Sequence, residues 1–304
     1  MAELKNFQEL RSMVLKRPRK IVAVSCANDW HTLEAVFKAK SDGLLDYVLI
    51  GDKNIIKEIC REKHQNFPEG DIIHCTDEKK SAEITVSLVR EGKADFLQKG
   101  LMQTRTILKA VLDKKTGIGT GNLMSNVALL EIPGYHKLVG VTDGGMIIYP
   151  TFEQKVGMIK NAVRMFNYMG YEKPKVAVTC ALEIVNPKMQ ETVDAAKLKE
   201  MAENGGIDNC FVEGPISTDI AFSKDAAKVK KFESPVAGDA DIILVPNINA
   251  GNMMVKGLLL FGHAKMAGVV MGAKCPIALN SRSASFEEKY FALVACCLIS
   301  DIVG

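Results

Sequence analysis

The chain has 304 residues, and its 47% hydrophobic and 25% charged positions are typical of a globular protein rather than a disordered one. The formal charge of +3 is too small to indicate a nucleic-acid-binding surface, and no apolar run approaches the ~18–20 residues of a membrane span. The N-terminal segment carries charge where a secretion signal would carry its apolar core. We therefore expect a cytoplasmic protein with no nucleic-acid or membrane partner.

Short apolar segments alternate with amphipathic segments over the first half of the chain. This alternation predicts an α/β fold with mostly parallel sheets. The predicted strands are 21–25, 47–50, 72–75, 95–97 and 138–142, and the predicted helices are 30–39, 54–61, 82–91 and 106–112.

A second series of elements follows a domain boundary predicted at Tyr149-Pro150. Thr151 and Gln154 form a capping box that begins a helix, and Asn186-Pro187 predicts the start of the next helix, which runs to about 203. The remaining predicted strands are 176–179, 209–212, 241–245 and 276–279, and the remaining helices are 253–265 and 285 to about 302. We expect domains over 1–149 and 150–284, with the C-terminal helix 285–304 packing back on the first domain.

The usual signatures of nucleotide, metal and covalent chemistry are missing from the sequence. The glycine-rich segment Gly117–Gly121 does not match the dinucleotide-binding motif G-x-G-x-x-G, because Asn122 occupies the position of the third glycine. The segment also follows a predicted helix, whereas the motif follows a strand. The eight cysteines and five histidines show no metal-ligand spacing. Free thiols fit a reducing compartment. We expect no metal site and no tightly bound cofactor.

Three segments at predicted strand ends carry candidate site residues, because ligands of α/β sheets bind beyond the carboxyl ends of strands. The segment 245–252 offers three amides, Asn247, Asn249 and Asn252, which suit an anion at a helix N-terminus or serve as turn caps. Ser281 and Arg282 have the donors of a phosphate site. In each segment, ligand binding and capping remain alternatives.

The same two alternatives apply to two further residues of these segments. Asp143 follows a predicted strand, where it could bind a ligand or cap a turn. Ser285 and Glu288 form a capping box of their own, which accounts for these two residues but not for Ser281 and Arg282.

These segments occur in the same order and at similar spacing in the phosphate acyltransferase family, which the chain resembles. The family comprises phosphate acetyltransferase and phosphate butyryltransferase. The resemblance covers almost the whole chain and is closest to the butyryl branch, through the segments 98–102 and 141–145. It implies the reaction acyl-CoA + phosphate ⇌ acyl phosphate + CoA, with a short acyl group such as butyryl. It also implies two α/β domains with an interdomain cleft, as in isocitrate and isopropylmalate dehydrogenases, and a homodimer or higher homo-oligomer.

The resemblance also implies roles for individual residues. The Ser-Arg pair of the family falls on Ser281 and Arg282, and its general base, an aspartate in the acetyl branch, falls on Glu288. Glu287, about 100° away around the helix, is the alternative base. Two further candidates come from their positions in the sequence rather than from the resemblance. Lys99, at a predicted strand end, could contact phosphate or coenzyme A, or could simply extend its ammonium to solvent. Ser125, in an apolar run that is expected to be buried, is a candidate to face the cleft. Coenzyme A enters as a substrate rather than a bound cofactor.

Other functions remain as alternatives. An acetyl or branched acyl group is the nearest, because each methylene adds only ~0.8 kcal/mol of burial. An NAD-dependent decarboxylating dehydrogenase needs an acidic cluster for a divalent metal, which the sequence does not offer. A binding protein for coenzyme A or acyl phosphate that shows no turnover is the remaining alternative.

Overall fold

The computed structural model describes residues 3–282 and 284–300. In chain order the helices are α1 Phe7–Val14, α2 Trp30–Ser41, α3 Lys53–Glu62, α4 Glu78–Arg90, α5 Thr104–Val111, α6 Phe152–Tyr168, α7 Gln190–Glu203, α8 Thr218–Phe222, α9 Lys224–Val229, α10 Ile248–Leu260 and α11 Phe286–Ile299. The strands are β1 Lys20–Ser25, β2 Leu45–Gly51, β3 Ile72–His74, β4 Phe96–Lys99, β5 Ser125–Glu131, β6 Val139–Thr142, β7 Lys175–Thr179, β8 Phe211–Ile216, β9 Ile242–Leu244, β10 Lys265–Met271 and β11 Ile277–Ala278.

The chain forms two compact units. Unit I comprises residues 8–122 and 266–300, and unit II comprises residues 3–7 and 123–265. Unit I has the strand order β3-β2-β1-β4-β11-β10, in which only the β11–β10 pair is antiparallel. Unit II has the order β5-β6-β9-β7-β8, in which only the β5–β6 pair is antiparallel. The predicted fold class, α/β with mostly parallel sheets, is confirmed.

The division into units differs from the predicted domain boundary at 149/150. The chain passes between units near residue 7, between residues 122 and 123, and again between 265 and 266. The reason lies in strand pairing: β6 hydrogen-bonds to both β5 and β9, so residues 125–142 join the sheet of unit II. Periodicity along a sequence identifies strands but does not identify the sheet to which each strand belongs.

The last helix, α11, is almost entirely buried after its first turn. Every residue of α11 from Lys289 to Ile299 is buried except Phe291, which is typical of a helix that is apolar on all sides. α11 packs against α2, β4 and β11 of unit I. This places its N-terminal turn beside the carboxyl end of β4, where the candidate site lies. The last residues of the predicted helix, 301–304, lie outside the described residues.

Several predicted boundaries differ from those in the structure. α10 begins at Ile248 rather than at 253, because the Asn247 side chain accepts a hydrogen bond from the Ala250 N–H (3.1 Å) and caps the helix five residues earlier. α7 begins at Gln190 rather than at Asn186, whose side chain instead accepts from the Lys188 N–H in a local turn (3.0 Å). The strands β5 and β10 and the helices α1, α8 and α9 were not predicted.

In residues 3–282 and 284–300, no helix combines the length and the apolar composition that crossing a bilayer requires.

Candidate anion-binding site

A cavity of about 580 Å³ in unit I lies at the carboxyl end of β4 and beside the segment that follows β11. Its lining residues are Lys99, Met102, Gln103, Thr104, Arg105, Ser281 and Arg282. The lining therefore has three cations and no carboxylate, and it includes Thr104, the first residue of α5, whose N-terminal end carries partial positive charge. Such a lining suits an anion with several oxygens, such as a phosphate.

Lys99 is the innermost cation of this cavity, with only 2% of its surface exposed. Its Nζ donates to the main-chain carbonyls of Gly100 (3.3 Å) and Met102 (3.2 Å). No carboxylate in the described part of the chain forms an ion pair with it. Burial, with the positive charges of Lys289 and Arg282, lowers the pKa of Lys99 to about 8.

Lys289, on the first turns of α11, is a second buried cation that the sequence analysis missed. It is 3% exposed, and its Nζ donates to the Thr32 hydroxyl (3.1 Å). That hydroxyl donates in turn to Asp29 (2.6 Å), the residue that caps α2. Burial lowers the pKa of Lys289, although the charges of Asp29 and Glu288 oppose this effect. The available sequence signal was a lysine at the head of the apolar run 290–299.

Ser281 and Arg282 lie together on the loop between β11 and α11, both at the surface of the cavity. The Ser281 carbonyl accepts a hydrogen bond from the Ala284 N–H (3.2 Å), so this loop turns tightly before the helix begins. The structure thus brings together Lys99, Ser281 and Arg282, three residues that the sequence analysis had selected from distant segments. Ser283 of the same motif lies outside the described residues.

Glu288 forms the predicted capping box of α11. Its Oε1 accepts from the Ser285 N–H (3.1 Å) and lies 3.2 Å from the Ser285 hydroxyl, while its own N–H donates to that hydroxyl oxygen (3.2 Å). Glu287 is exposed on the same first turn. One oxygen of Glu288 is therefore engaged in the cap. The role of Glu288 or Glu287 as a general base stays a prediction.

The interior next to the cavity is polar. Gln98 of β4 is 1% exposed, and neither polar atom of its side chain has a partner among the described residues. Gln98 pairs in register with Ala278, two residues before Asn280, whose buried Oδ1 is likewise without a partner there. The Asn280 amide donates to the Glu288 carbonyl (3.3 Å) and ties this loop to α11.

Asp143 in unit II binds main-chain groups with both carboxylate oxygens. It accepts hydrogen bonds from the N–H groups of Asn126 (2.8 Å), Gly145 (2.7 Å) and Met146 (2.8 Å), and it is 1% exposed. Burial raises its pKa, and the main-chain donors oppose that effect. Asp143 therefore caps the turn that follows β6, and direct ligand binding by Asp143 stays a prediction.

The asparagines of the 245–252 segment and Ser125 also have partners within unit II. Asn247 caps α10, Asn252 donates to the Gly144 carbonyl (3.2 Å), and Asn249 donates to the Tyr149 hydroxyl (3.4 Å). The two loops are in close contact, since a Cβ on Gly144 would lie 2.9 Å from the main chain of Gly251. Asn249 and Asn252 remain exposed.

Ser125 is fully buried at the start of β5. Its hydroxyl oxygen accepts a hydrogen bond from the Asn161 amide of α6 (2.9 Å), which also donates to the Leu123 carbonyl (2.9 Å). This arrangement fixes the beginning of the strand against the helix. Contact of Ser125 with a substrate stays a prediction.

One further group in unit II has the composition of a metal site. Ligand atoms of Glu3, His136 and Asp239 lie within 4.8 Å of one another. The ammonium of Lys137 lies 3.0 Å from Glu3 and 2.9 Å from Asp239, and Lys175 also pairs with Asp239. The carboxylates are thus neutralised by lysines, so the group is an ion-pair network rather than a site prepared for a metal.

Comparison with known proteins places the chain in a family. The family described as "Phosphate acetyl/butaryl transferase" matches residues 74–297. The chain belongs to this family. A phosphate butyryltransferase of Clostridium beijerinckii is 41% identical over 97% of this chain and 98% of that protein. A phosphate acetyltransferase of Thermotoga maritima is 42% identical over 90% of this chain and 93% of that protein.

Solved structures agree with this assignment. A branched-chain phosphotransacylase from Enterococcus faecalis V583 is similar with a TM-score of 0.82 and 33% identity, over 92% of this chain and 99% of that chain. A 4-hydroxythreonine-4-phosphate dehydrogenase from Klebsiella pneumoniae shares the fold at 12% identity, with a TM-score of 0.56 over 93% of this chain and 99% of that chain. The predicted family and its dehydrogenase-like fold are confirmed.

Proposed function

We propose that the chain transfers a short acyl group, preferably butyryl, between coenzyme A and inorganic phosphate. The observation that carries the proposal is the cavity of unit I, whose lining has three cations and no carboxylate, in a member of this acyltransferase family. Phosphate, acyl phosphate and coenzyme A are all anions with phosphoryl oxygens. The cavity therefore suits a phosphoryl group, which is present in the substrates and in the products of the reaction.

Each polar residue of the cavity has a different role in the proposed reaction. The guanidinium of Arg282 has a planar fork of N–H donors that matches two phosphate oxygens. The hydroxyl of Ser281 serves as a donor to the oxyanion that develops on the acyl carbonyl, a position where loss of one donor costs ~10²–10³ in rate. Lys99 adds a positive charge in a poorly solvated position, where it acts more strongly than at the surface.

Both substrates bind together in this proposal, and the acyl group passes directly from one to the other. No metal or bound cofactor has a step in it, and coenzyme A is a substrate. Asn249 and Asn252, exposed on α10, supply neutral amides for contact with substrate. Asp143 and Asn247 hold the loops of unit II in place through the main-chain bonds described above.

The test is release of free thiol. The protein is mixed with phosphate and acyl-CoA substrates from acetyl to hexanoyl, and free CoA is followed with a thiol-reactive dye. We expect release that depends on phosphate and is fastest with four carbons. No phosphate-dependent release with any acyl group would contradict the proposal and favour a binding protein.

The identity of the acyl group is the part of this proposal for which the relatives suggest specific alternatives. One relative is a phosphate acetyltransferase at 42% identity, and one similar structure is a branched-chain phosphotransacylase. The thiol-release series therefore includes isobutyryl-CoA and isovaleryl-CoA. A maximum at two carbons assigns the chain to acetyl transfer, and a maximum with a branched group assigns it to branched-chain transfer.

We also propose a homo-oligomer in a reducing cytoplasm. All eight cysteines are free thiols, six of them buried within unit I, which fits a reducing compartment. Unit II exposes large apolar side chains that a second copy could cover: Ile148, Tyr149, Ile184, Val185, Met253, Leu260 and Phe261. Light scattering after size-exclusion chromatography tests the oligomer, and a monomeric mass at micromolar concentration would contradict it.

A further inference from the structure

The proposed reaction requires a group that moves a proton. When acyl-CoA forms, the thiol of coenzyme A must lose its proton, and the departing phosphate must gain one. A thiol with a pKa of ~8.5 is a poor partner for a carboxylate with a pKa of ~4.3, because proton transfer between them is strongly uphill. Glu288 is further committed to the cap of α11 through Oε1.

Lys99 has the geometry for this task. A neutral lysine amine keeps two N–H donors and one lone pair. The carbonyls of Gly100 and Met102 accept two N–H groups, at 3.3 and 3.2 Å, which leaves the third position of Nζ for the lone pair. Lys99 lines the cavity, and we infer that this position faces a group bound there. Protonation fills the same position with a third N–H donor, so the two carbonyl contacts persist in both states.

The segment that supplies these two carbonyls is held rigidly against β1. The Gly100 N–H donates to the Ser25 carbonyl (2.8 Å), and the Leu101 N–H donates to the Cys26 carbonyl (2.9 Å). The approach is so close that a Cβ on Gly100 would lie 2.4 Å from the Cys26 oxygen. The carbonyls therefore hold Nζ in a fixed place, as a proton-transferring group requires.

The charges around Lys99 favour its neutral form. Lys289 of α11 and Arg282 of the loop before α11 are cations, and burial adds to their effect. The anions that face it are Asp29, before α2, and Glu78, at the start of α4; they oppose the effect, each less strongly than either cation favours it. Asp29 is occupied with the cap of α2, and Glu78 accepts hydrogen bonds from the N-terminal part of α5.

We propose that Lys99 carries the proton between the thiol of coenzyme A and the phosphate oxygen. The proposal rests on the function proposed above. When acyl-CoA forms, the thiol gives its proton to neutral Nζ, and the thiolate attacks the acyl carbonyl carbon. The carbon–sulfur bond forms, the carbon–oxygen bond to phosphate breaks with its electron pair on oxygen, and the Lys99 ammonium returns the proton to that oxygen. Acyl phosphate and thiol thus become thioester and hydrogen phosphate, with no further reactant.

The pKa of about 8 supports this role because it lies close to that of a thiol. Neutral Lys99 is needed to form acyl-CoA, so kcat in that direction rises with pH through the pKa of Lys99. Protonated Lys99 is needed for the reverse direction, in which the thiolate leaves. The kcat of the reverse reaction therefore falls as pH rises through the pKa of Lys99.

Three variants test the proposal, after the wild-type protein has shown phosphate-dependent thiol release; without that release, the proposed function fails before this inference is examined. Lys99→Arg keeps the positive charge but cannot release a proton at these pH values. General acid–base catalysis contributes ~10²–10⁴ in rate, and we expect Lys99→Arg to lose that factor in kcat. Full activity in Lys99→Arg would overturn the proposal and leave Lys99 a purely electrostatic role.

The second variant separates loss of the proton carrier from a poor fit of arginine. Lys99→Ala removes the amine and leaves room for a small one. We expect methylamine or ethylamine to restore part of kcat and guanidine to restore none. Folding is checked by circular dichroism. Equal rescue by guanidine and by amines would contradict proton transfer.

The third variant, Lys289→Met, changes the charge beside Lys99 and leaves Lys99 in place. Since Lys289 lowers the pKa of Lys99, its removal shifts the midpoint of the kcat–pH profile to higher pH. A midpoint that does not move would belong to the thiol of coenzyme A itself, and it would overturn the assignment to Lys99.

Discussion

Replacement of Asp143 by alanine distinguishes a structural role for this carboxylate from ligand binding. In the structure its two oxygens accept three main-chain N–H groups at 2.7–2.8 Å, and the residue is 1% exposed. Leaving a buried donor without an acceptor costs ~1–3 kcal/mol. The N–H groups of Gly145 and Met146 belong to residues that reach solvent and can bind water, so most of the cost comes from the buried Asn126.

The expected loss of stability is therefore about 2–4 kcal/mol. A loss of about 3 kcal/mol lowers Tm by roughly 6–12 °C in a unit of this size. The assay is calorimetric unfolding of wild type and Asp143→Ala. Asp113→Ala is the matched control, because Asp113 also accepts the N–H groups of Lys115 and Thr116, in an exposed turn, and should change Tm far less. An unchanged Tm with lost activity in Asp143→Ala would refute the structural role and assign Asp143 to the substrate.

Three further predictions concern charge. Arg282→Ala should reduce activity ~10²–10³-fold, whereas Arg61→Ala, at an exposed position of α3, should leave it unchanged; equal activities would remove Arg282 from the site. Glu288→Gln keeps a residue that can form the capping box, so Tm should hold, and with Lys99 as proton carrier kcat should hold as well; a large loss here but not in Glu287→Gln would return the base role to Glu288. Burial alone would raise the pKa of Asp239, but its hydrogen bonds hold that pKa well below the ordinary value of 3.8, so stability present above pH ~4 should be lost as pH falls further, and acid titration of Asp239→Asn should show a weaker dependence.

The fold was predictable where the local signal was strong. The capping boxes at Thr151 and Ser285 predicted the starts of α6 and α11, and buried apolar runs predicted β1, β2 and β7. The strands β5 and β10 were missed although Pro133-Gly134 follows β5 and Gly272 follows β10, because an apolar run of seven residues fits a buried helix as well as a buried strand. The predicted domain boundary at 149/150 differs from the division into units because β6 pairs with both β5 and β9. No local sequence pattern encodes which strands pair.

The candidate site was predictable in part. Lys99 is the last residue of β4, and Ser281 and Arg282 follow β11. These strands are neighbours in the sheet of unit I, so the rule that ligands bind beyond strand ends correctly predicted that the three residues lie together. Arg105 and Lys289 were missed because both lie on helices, where a basic residue usually faces solvent. Only the packing of α11 on α2 shows that Lys289 points inward, to Thr32.

Glu288 shows how a local structural role and a chemical role compete for one side chain. An N-terminal cap contributes about 1 kcal/mol, so releasing Oε1 from Ser285 reduces the population of the free carboxylate by roughly fivefold. That cost is small against the 10²–10⁴ that a proton-transferring group contributes, so the cap alone does not decide the question. The mismatch in pKa between a carboxylate and a thiol is several units, and each unit is worth about 1.4 kcal/mol, which exceeds the cost of the cap. Lys99 has neither handicap, because its carbonyl partners remain satisfied whether or not it carries the proton.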